Sequence, residues 1–110
     1  MMIDYNQETF NECQKLIKNQ FVLLEFYASW CGTCRSVTRM LKHVDSMDLL
    51  KIIRIDIDQN KEVMNKYDIL GVPVIMLIQQ GKEVIRLGGS VNFEEFKEWI
   101  HQVKEFEELS

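Results

Sequence analysis

Apolar residues along this chain fall into short blocks of two distinct periods. Phe10, Cys13, Leu16 and Ile17 recur at the spacing of one helix face, which predicts a first helix from about Gln7 to Lys18 with Asn6 as its N-cap. The next block, Phe21 to Ala28, is apolar except for Glu25 and has the length of a central strand covered on both faces. After Cys34, Val37, Met40, Leu41 and Val44 return to helical spacing and predict an amphipathic helix ending near Ser46. From Lys51 to Ile57, Ile53, Ile55 and Ile57 alternate with Arg54 and Asp56, with Ile52 the exception, as in a second strand. Asp58-Gln59-Asn60 is a turn cluster, and a short helix from Lys61 to Tyr67 follows with Val63, Met64 and Tyr67 inward. Pro73 opens a strand from Val74 to Ile78, and the turn Gln79 to Lys82 folds it into an antiparallel hairpin with Glu83 to Leu87. Asn92, with Glu95 three residues later, starts a last helix whose apolar side carries Phe93, Phe96, Trp99, Ile100, Val103 and Phe106. The acidic residues Glu105, Glu107 and Glu108 at its end read as a solvated face.

The predicted order is helix, strand, helix, strand, helix, hairpin, helix. Two successive strand-helix-strand crossovers imply a mixed sheet whose early strands run parallel, with helices on both faces. The expected architecture is a three-layer α/β/α domain with a central mixed β-sheet, occupying residues 1–110 as a single unit. Sites in such sheets gather at the carboxyl ends of the parallel strands, and the segment leaving the first of them is Ser29-Trp30-Cys31-Gly32-Thr33-Cys34.

Composition narrows the function. A chain of 110 residues can bury a real core without staples, so three cysteines do not serve a disulfide scaffold. With 13 basic against 17 acidic residues the net charge is −4, which lacks the basic excess that drives nucleic-acid binding. The longest apolar stretch, Ile69 to Ile78, is about half of what a bilayer span needs. No basic segment followed by an apolar core opens the chain, so a cytoplasmic protein away from membranes is expected. In a reducing compartment a disulfide is transient and catalytic.

Two cysteines separated by two residues, between a buried strand and a helix, are the strongest chemical signal. The spacing puts both sulfurs on the first helical turn, where a disulfide closes with little backbone movement. Cys31 would sit among unpaired N–H groups at the positive end of the helix dipole, which favours a thiolate, and Cys34 would be the more buried resolving thiol. A zinc site would need two more ligands, and Cys13, His43 and His101 form no second paired arrangement, so no metal is expected. Cys13, on the apolar face of the first helix, reads as a packed thiol.

The run Phe26 to Cys34, followed by Ile55-Asp56-Ile57-Asp58-Gln59-Asn60, by Tyr67 to Pro73, and by Gly81 and Gly88-Gly89, resembles the thioredoxin family. The resemblance extends from about Phe21 to the last helix and implies the thioredoxin fold with protein-disulfide reductase activity, in electron transport and cell redox homeostasis. It implies that Val72-Pro73 is a cis peptide facing the cysteine pair. It also implies a substrate groove built from Trp30, Gly32, Thr33, the Gly71-Val72-Pro73 loop and Gly89. In the implied reaction Cys31 is the nucleophile and Cys34 resolves the mixed disulfide. The partners it implies are disulfide-containing proteins and a flavin-containing, NADPH-dependent thioredoxin reductase; the chain itself needs no cofactor and is expected to be a monomer.

Four positions depart from the family pattern. Glu25 stands where aspartate is usual and Arg54 where lysine is usual. Glu25 is either a proton acceptor for Cys34, through water, or the carboxylate of a buried Glu25–Arg54 ion pair. Thr33 replaces a proline between the cysteines, which frees an N–H, adds a hydroxyl near Cys31 and predicts a less reducing potential. Arg39 replaces a helix-kinking proline and predicts a straighter helix. A disulfide oxidant or isomerase, favoured by Thr33, and a non-catalytic adaptor, which would not need both thiols, are the competing functions.

Overall fold

The computed structural model describes residues 1–103, so Phe106 and the acidic end assigned to a solvated face lie outside the described residues. Nine elements follow in the order β1 (Met2–Asp4), α1 (Phe10–Asn19), β2 (Phe21–Tyr27), α2 (Gly32–Ser46), β3 (Lys51–Asp56), α3 (Lys61–Lys66), β4 (Val74–Gln79), β5 (Lys82–Gly88) and α4 (Phe93–Ile100). The strands form one five-stranded sheet in the order β1-β3-β2-β4-β5. β1 and β2 each pair parallel with β3, whereas β4 runs antiparallel to β2 and β5 antiparallel to β4.

The mixed α/β sheet with helices on both faces is therefore as expected, with two corrections to its path. A first strand, β1, precedes the predicted elements and adds a parallel partner at the edge of the sheet. The crossovers that join parallel strands are β1-α1-β2 and β2-α2-β3; the chain leaving β3 through α3 returns antiparallel.

Side chains alternate across β2 and sort the core into two layers. Val22, Leu24 and Phe26 face Cys13, Leu16 and Ile17 of α1, while Leu23 faces Val37, Leu41 and Val44 of α2 and Phe96 and Ile100 of α4. In β3, Ile52 and Ile53 are both fully buried, on opposite layers, so the apparent exception in its alternation is the mark of a strand covered on both sides. Val63, Met64 and Tyr67 pack inward as expected.

Helix α1 begins later than its periodicity predicts. The Asn6 side chain accepts from the backbone N–H groups of Glu8 (2.8 Å) and Thr9 (2.9 Å), and the Thr9 hydroxyl accepts from the Asn6 N–H (3.0 Å). These bonds hold a turn, so Asn6 caps that turn and Thr9 takes the N-cap position of a helix starting at Phe10. Phe10 consequently points outward, edge-on to Tyr5, with nearly half its surface exposed. Cys13 is the packed, free thiol expected.

The hairpin turns through Gln80 and Gly81, both at positive φ (48° and 83°), the pair of conformations a two-residue type I′ turn requires, and Gly81 supplies the second without a Cβ penalty. In α4 the predicted capping box forms: Asn92 accepts from the Glu95 N–H (2.9 Å) and Glu95 from the Asn92 N–H (3.0 Å). Replacing Asn92 by Ala should destabilise the fold by about 1 kcal/mol. Unchanged thermal melting of that variant would show that the box contributes nothing.

Candidate active site

The Cys31-Gly32-Thr33-Cys34 segment turns from the end of β2 into α2. Cys31 occupies the N-cap of α2, a place usually taken by an oxygen-bearing side chain, and its sulfur accepts from the Cys34 backbone N–H at 3.2 Å. The two cysteines are joined as a disulfide, with Cα atoms 5.3 Å apart. The first turn of α2 carries no acidic residue, so the positive end of the helix acts on the Cys31 sulfur without opposition from its own turn. Cys31 keeps 7% of its surface and Cys34 only 2%, the order expected for an attacking and a resolving thiol. Both pack with Ala28 into a small apolar cluster against Tyr27, Ile57 and Val72.

The other predicted positions converge on this pair to different degrees. Val72 packs directly on the cysteine cluster, and the Val72-Pro73 peptide is cis, as expected. Gly89 is tied to the same loop, its N–H donating to the Pro73 carbonyl at 2.9 Å. A Cβ added at Gly32 or at Gly71 would meet nothing within 4 Å, so the backbone on these two sides of the site stands open. Thr33 is exposed, and its carbonyl accepts from Ser36. Trp30 is 68% exposed, and its indole N–H donates to an Asp58 carboxylate oxygen at 2.9 Å. A cleft of about 990 Å³ lies between the loops that follow β1 and β3, with Tyr27 and Asp58 in its wall and neither cysteine in its lining.

Glu25 is fully buried. Its Cα partner across β3 is Arg54, whose Nε donates to Glu25 Oε1 at 3.0 Å, so the ion pair is present. The Thr38 hydroxyl donates to Oε2 at 2.5 Å. Burial nevertheless pushes the Glu25 carboxyl above the usual carboxylate range; the Thr38 bond and the Arg54 charge pull it back in part, and the Asp4 charge opposes them. A carboxylate in this position is a better proton acceptor than an exposed one. Arg54 also reaches Asp4 at 3.5 Å and lies over the Tyr27 ring, 4.1 Å from its centre.

Two contributors escaped the sequence. Thr38 lies four residues after Cys34, and that spacing alone places it on the buried side of α2. Asp58 lies in the turn two residues beyond the end of β3, yet nothing in its local pattern signals a bond to Trp30. Helix α2 runs without interruption through Arg39, where the family pattern has its kinking proline. Among the described residues, no group of His, Cys, Asp and Glu could hold a metal ion and no helix is long and apolar enough to cross a membrane.

Residues 1–102 match the family described as thioredoxin. The chain is similar to the thioredoxin of Bacillus subtilis, with 37% identity over 65 residues that cover 57% of this chain and 62% of that protein. The thioredoxin of Griffithsia pacifica is 32% identical over 89 residues, 79% of this chain and 76% of that protein. A bifunctional thioredoxin reductase/thioredoxin of Mycobacterium leprae is 32% identical over 77 residues, 68% of this chain and 17% of that larger protein. In three dimensions, the reduced thioredoxin pre-protein of Schistosoma mansoni superimposes with a TM-score of 0.79 over 92% of this chain and 96% of that one, at 22% identity. With the sheet order, the cis proline and the disulfide at the head of α2 in place, the chain belongs to the thioredoxin family of thiol-disulfide oxidoreductases and carries the cysteine pair of a protein-disulfide reductase.

Proposed function

We propose that this chain reduces disulfides of other proteins through the Cys31/Cys34 dithiol. The observation that carries the reading is the pair's placement, with Cys31 at the helix cap receiving the Cys34 N–H and Cys34 behind it in the apolar cluster. In the reduced protein the same N–H and the helix dipole favour a Cys31 thiolate, which attacks one sulfur of a substrate disulfide while the other leaves as a thiolate. Cys34 then attacks the Cys31 sulfur, freeing the reduced substrate and leaving the Cys31–Cys34 disulfide. Glu25 accepts the Cys34 proton in this second exchange.

Substrate lies extended over Trp30, Gly32, Thr33, Gly71, Val72, Pro73 and Gly89. Backbone pairing at Val72 accepts many sequences because the main chain carries the bonds. Two electrons must then return to the pair from outside, and an NADPH-dependent thioredoxin reductase is the donor; in Mycobacterium leprae a reductase and a thioredoxin are named within one bifunctional protein. The chain works as a single domain over residues 1–110, a cytoplasmic monomer in cell redox homeostasis and electron transport.

Thr33 favours a second reading, a disulfide oxidant or isomerase, because the residue between the cysteines sets how strongly the reduced form is stabilised. Equilibration with glutathione redox buffers, followed by reduction of a protein disulfide with thioredoxin reductase and NADPH, separates the two. A potential somewhat less reducing than that of ordinary thioredoxins, still with steady NADPH consumption, is the expected result. Failure to reduce any protein disulfide overturns the reductase reading.

A further inference from the structure

We propose that Thr38, one helical turn from Cys34, is a positioning residue that keeps the Glu25 carboxylate ionised and fixed, and so sets the pH at which the second exchange becomes fast. The kinetic part of this inference rests on reading Glu25 as the proton acceptor for Cys34.

Glu25 has no access to solvent, so its charge depends on what the protein supplies to its two oxygens. One oxygen is served by Arg54 Nε, the other by the Thr38 hydroxyl, and among the described residues no other side chain donates to Oε2. The Cα partner on the β4 side is Ile75, and β4 (Val74–Gln79) brings no titratable group. On the α4 side the residues turned inward are Phe96, Trp99 and Ile100. The charged and titratable groups around Glu25 are thus Arg54 of β3, Asp4 of β1 behind it, and Tyr27 two residues further along β2, while Cys34 lies on α2 one helical turn before Thr38. Arg54 Nη2 lies 3.5 Å from Thr38 Oγ1, which closes a small ring of guanidinium, hydroxyl and carboxylate.

The consequence follows from where Thr38 is mounted. Residues four apart on a helix are neighbours on one face, so the hydroxyl that steadies the base rides on the same helix as the thiol to be deprotonated. When Cys34 attacks, its S–H bond breaks, the proton passes through water to the Glu25 carboxylate, the sulfur's electron pair forms the Cys31–Cys34 bond, and the substrate sulfur departs as a thiolate. Only the ionised carboxylate can take that proton. A hydrogen bond donated to the ionised form favours it, so removing the Thr38 hydroxyl moves Glu25 ionisation to higher pH.

The test uses reduced full-length protein and dithiobis(nitrobenzoate), whose two coloured thiolates leave in succession, the first on attack by Cys31 and the second on resolution by Cys34. In Thr38→Val the first phase should match wild type, while the acid limb of the second moves up by about one to two pH units. Thr38→Ser should restore it, and carbon NMR of the Glu25 carboxyl should show the same upward shift and rescue. A Glu25 titration that coincides in Thr38→Val and wild type overturns the proposal. Glu25→Gln tests the underlying reading separately: loss of the acid limb supports Glu25 as acceptor. An unchanged second phase removes Glu25 from the mechanism, and with it the kinetic role of Thr38, while the NMR titration still decides whether Thr38 holds the carboxylate ionised.

Discussion

Cys31→Ser should lower turnover with a protein disulfide to background, a loss on the order of a thousandfold or more, because a serine hydroxyl supplies no comparable nucleophile at neutral pH. Cys34→Ser should behave differently and more informatively. Its Cys31 still sits at the α2 cap, receives the residue-34 N–H and attacks, but nothing displaces the substrate from it. The expected product is a covalent complex, one protein to one substrate, visible as a mass increase that a small thiol reverses. The asymmetry comes from position: Cys31 caps the helix and Cys34 lies in the apolar cluster beneath it with 2% of its surface exposed. Full activity in Cys31→Ser, or a Cys34→Ser protein that never accumulates the complex, would sink the assignment of roles.

Phe26→Ala should cause the largest loss of stability, about 3–5 kcal/mol. Phe26 has no exposed surface, pairs through its Cα with Ile55 of β3 and Val74 of β4, and its ring lies 5.9 Å from that of Tyr67. Removing it opens a cavity among α1, α3 and the middle of the sheet, where β-strands on both sides limit collapse. Since small domains hold only about 5–15 kcal/mol in total, the melting temperature should fall by about 12 °C or more. A loss below about 1 kcal/mol in denaturant titration would mean that the site repacks. The cysteine turn begins directly after this strand, so the variant separates stability from chemistry: at temperatures where it remains folded, its first exchange should still proceed.

The elements that could be read from the chain are those whose own side chains carry the signal. The stripe Val37, Met40, Leu41 and Val44 gives α2 its burial, and Asn92 with Glu95 gives α4 its start. The cysteine pair was legible for the same reason, because its chemistry needs only the local spacing. β1 was missed since three residues with one buried member, Ile3, contain no period, and its strand character comes from pairing with β3. The start of α1 was placed early because Asn6 and Thr9 are both capping residues, and only the folded turn shows which bonds each makes. Thr38 and Asp58 belong to the site through partners 13 and 28 positions away, contacts that exist only after the sheet has formed.

Asp4, Arg54 and Glu25 sit at matching positions of three neighbouring strands, and the exposure of their side chains falls from 65% through 22% to none. Such a row constrains how the sequence can drift. A single exchange that removes Arg54 strands an acid in the interior, whereas an exchange that changes both Arg54 and Glu25, with their combined reach preserved, leaves the interior neutral. The usual aspartate and lysine of the family are a shorter acid facing a different cation, and the glutamate and arginine here are a second solution to the same equation. Positions 25 and 54 therefore act as one unit, and transplanting either residue alone between relatives should be harder than transplanting both.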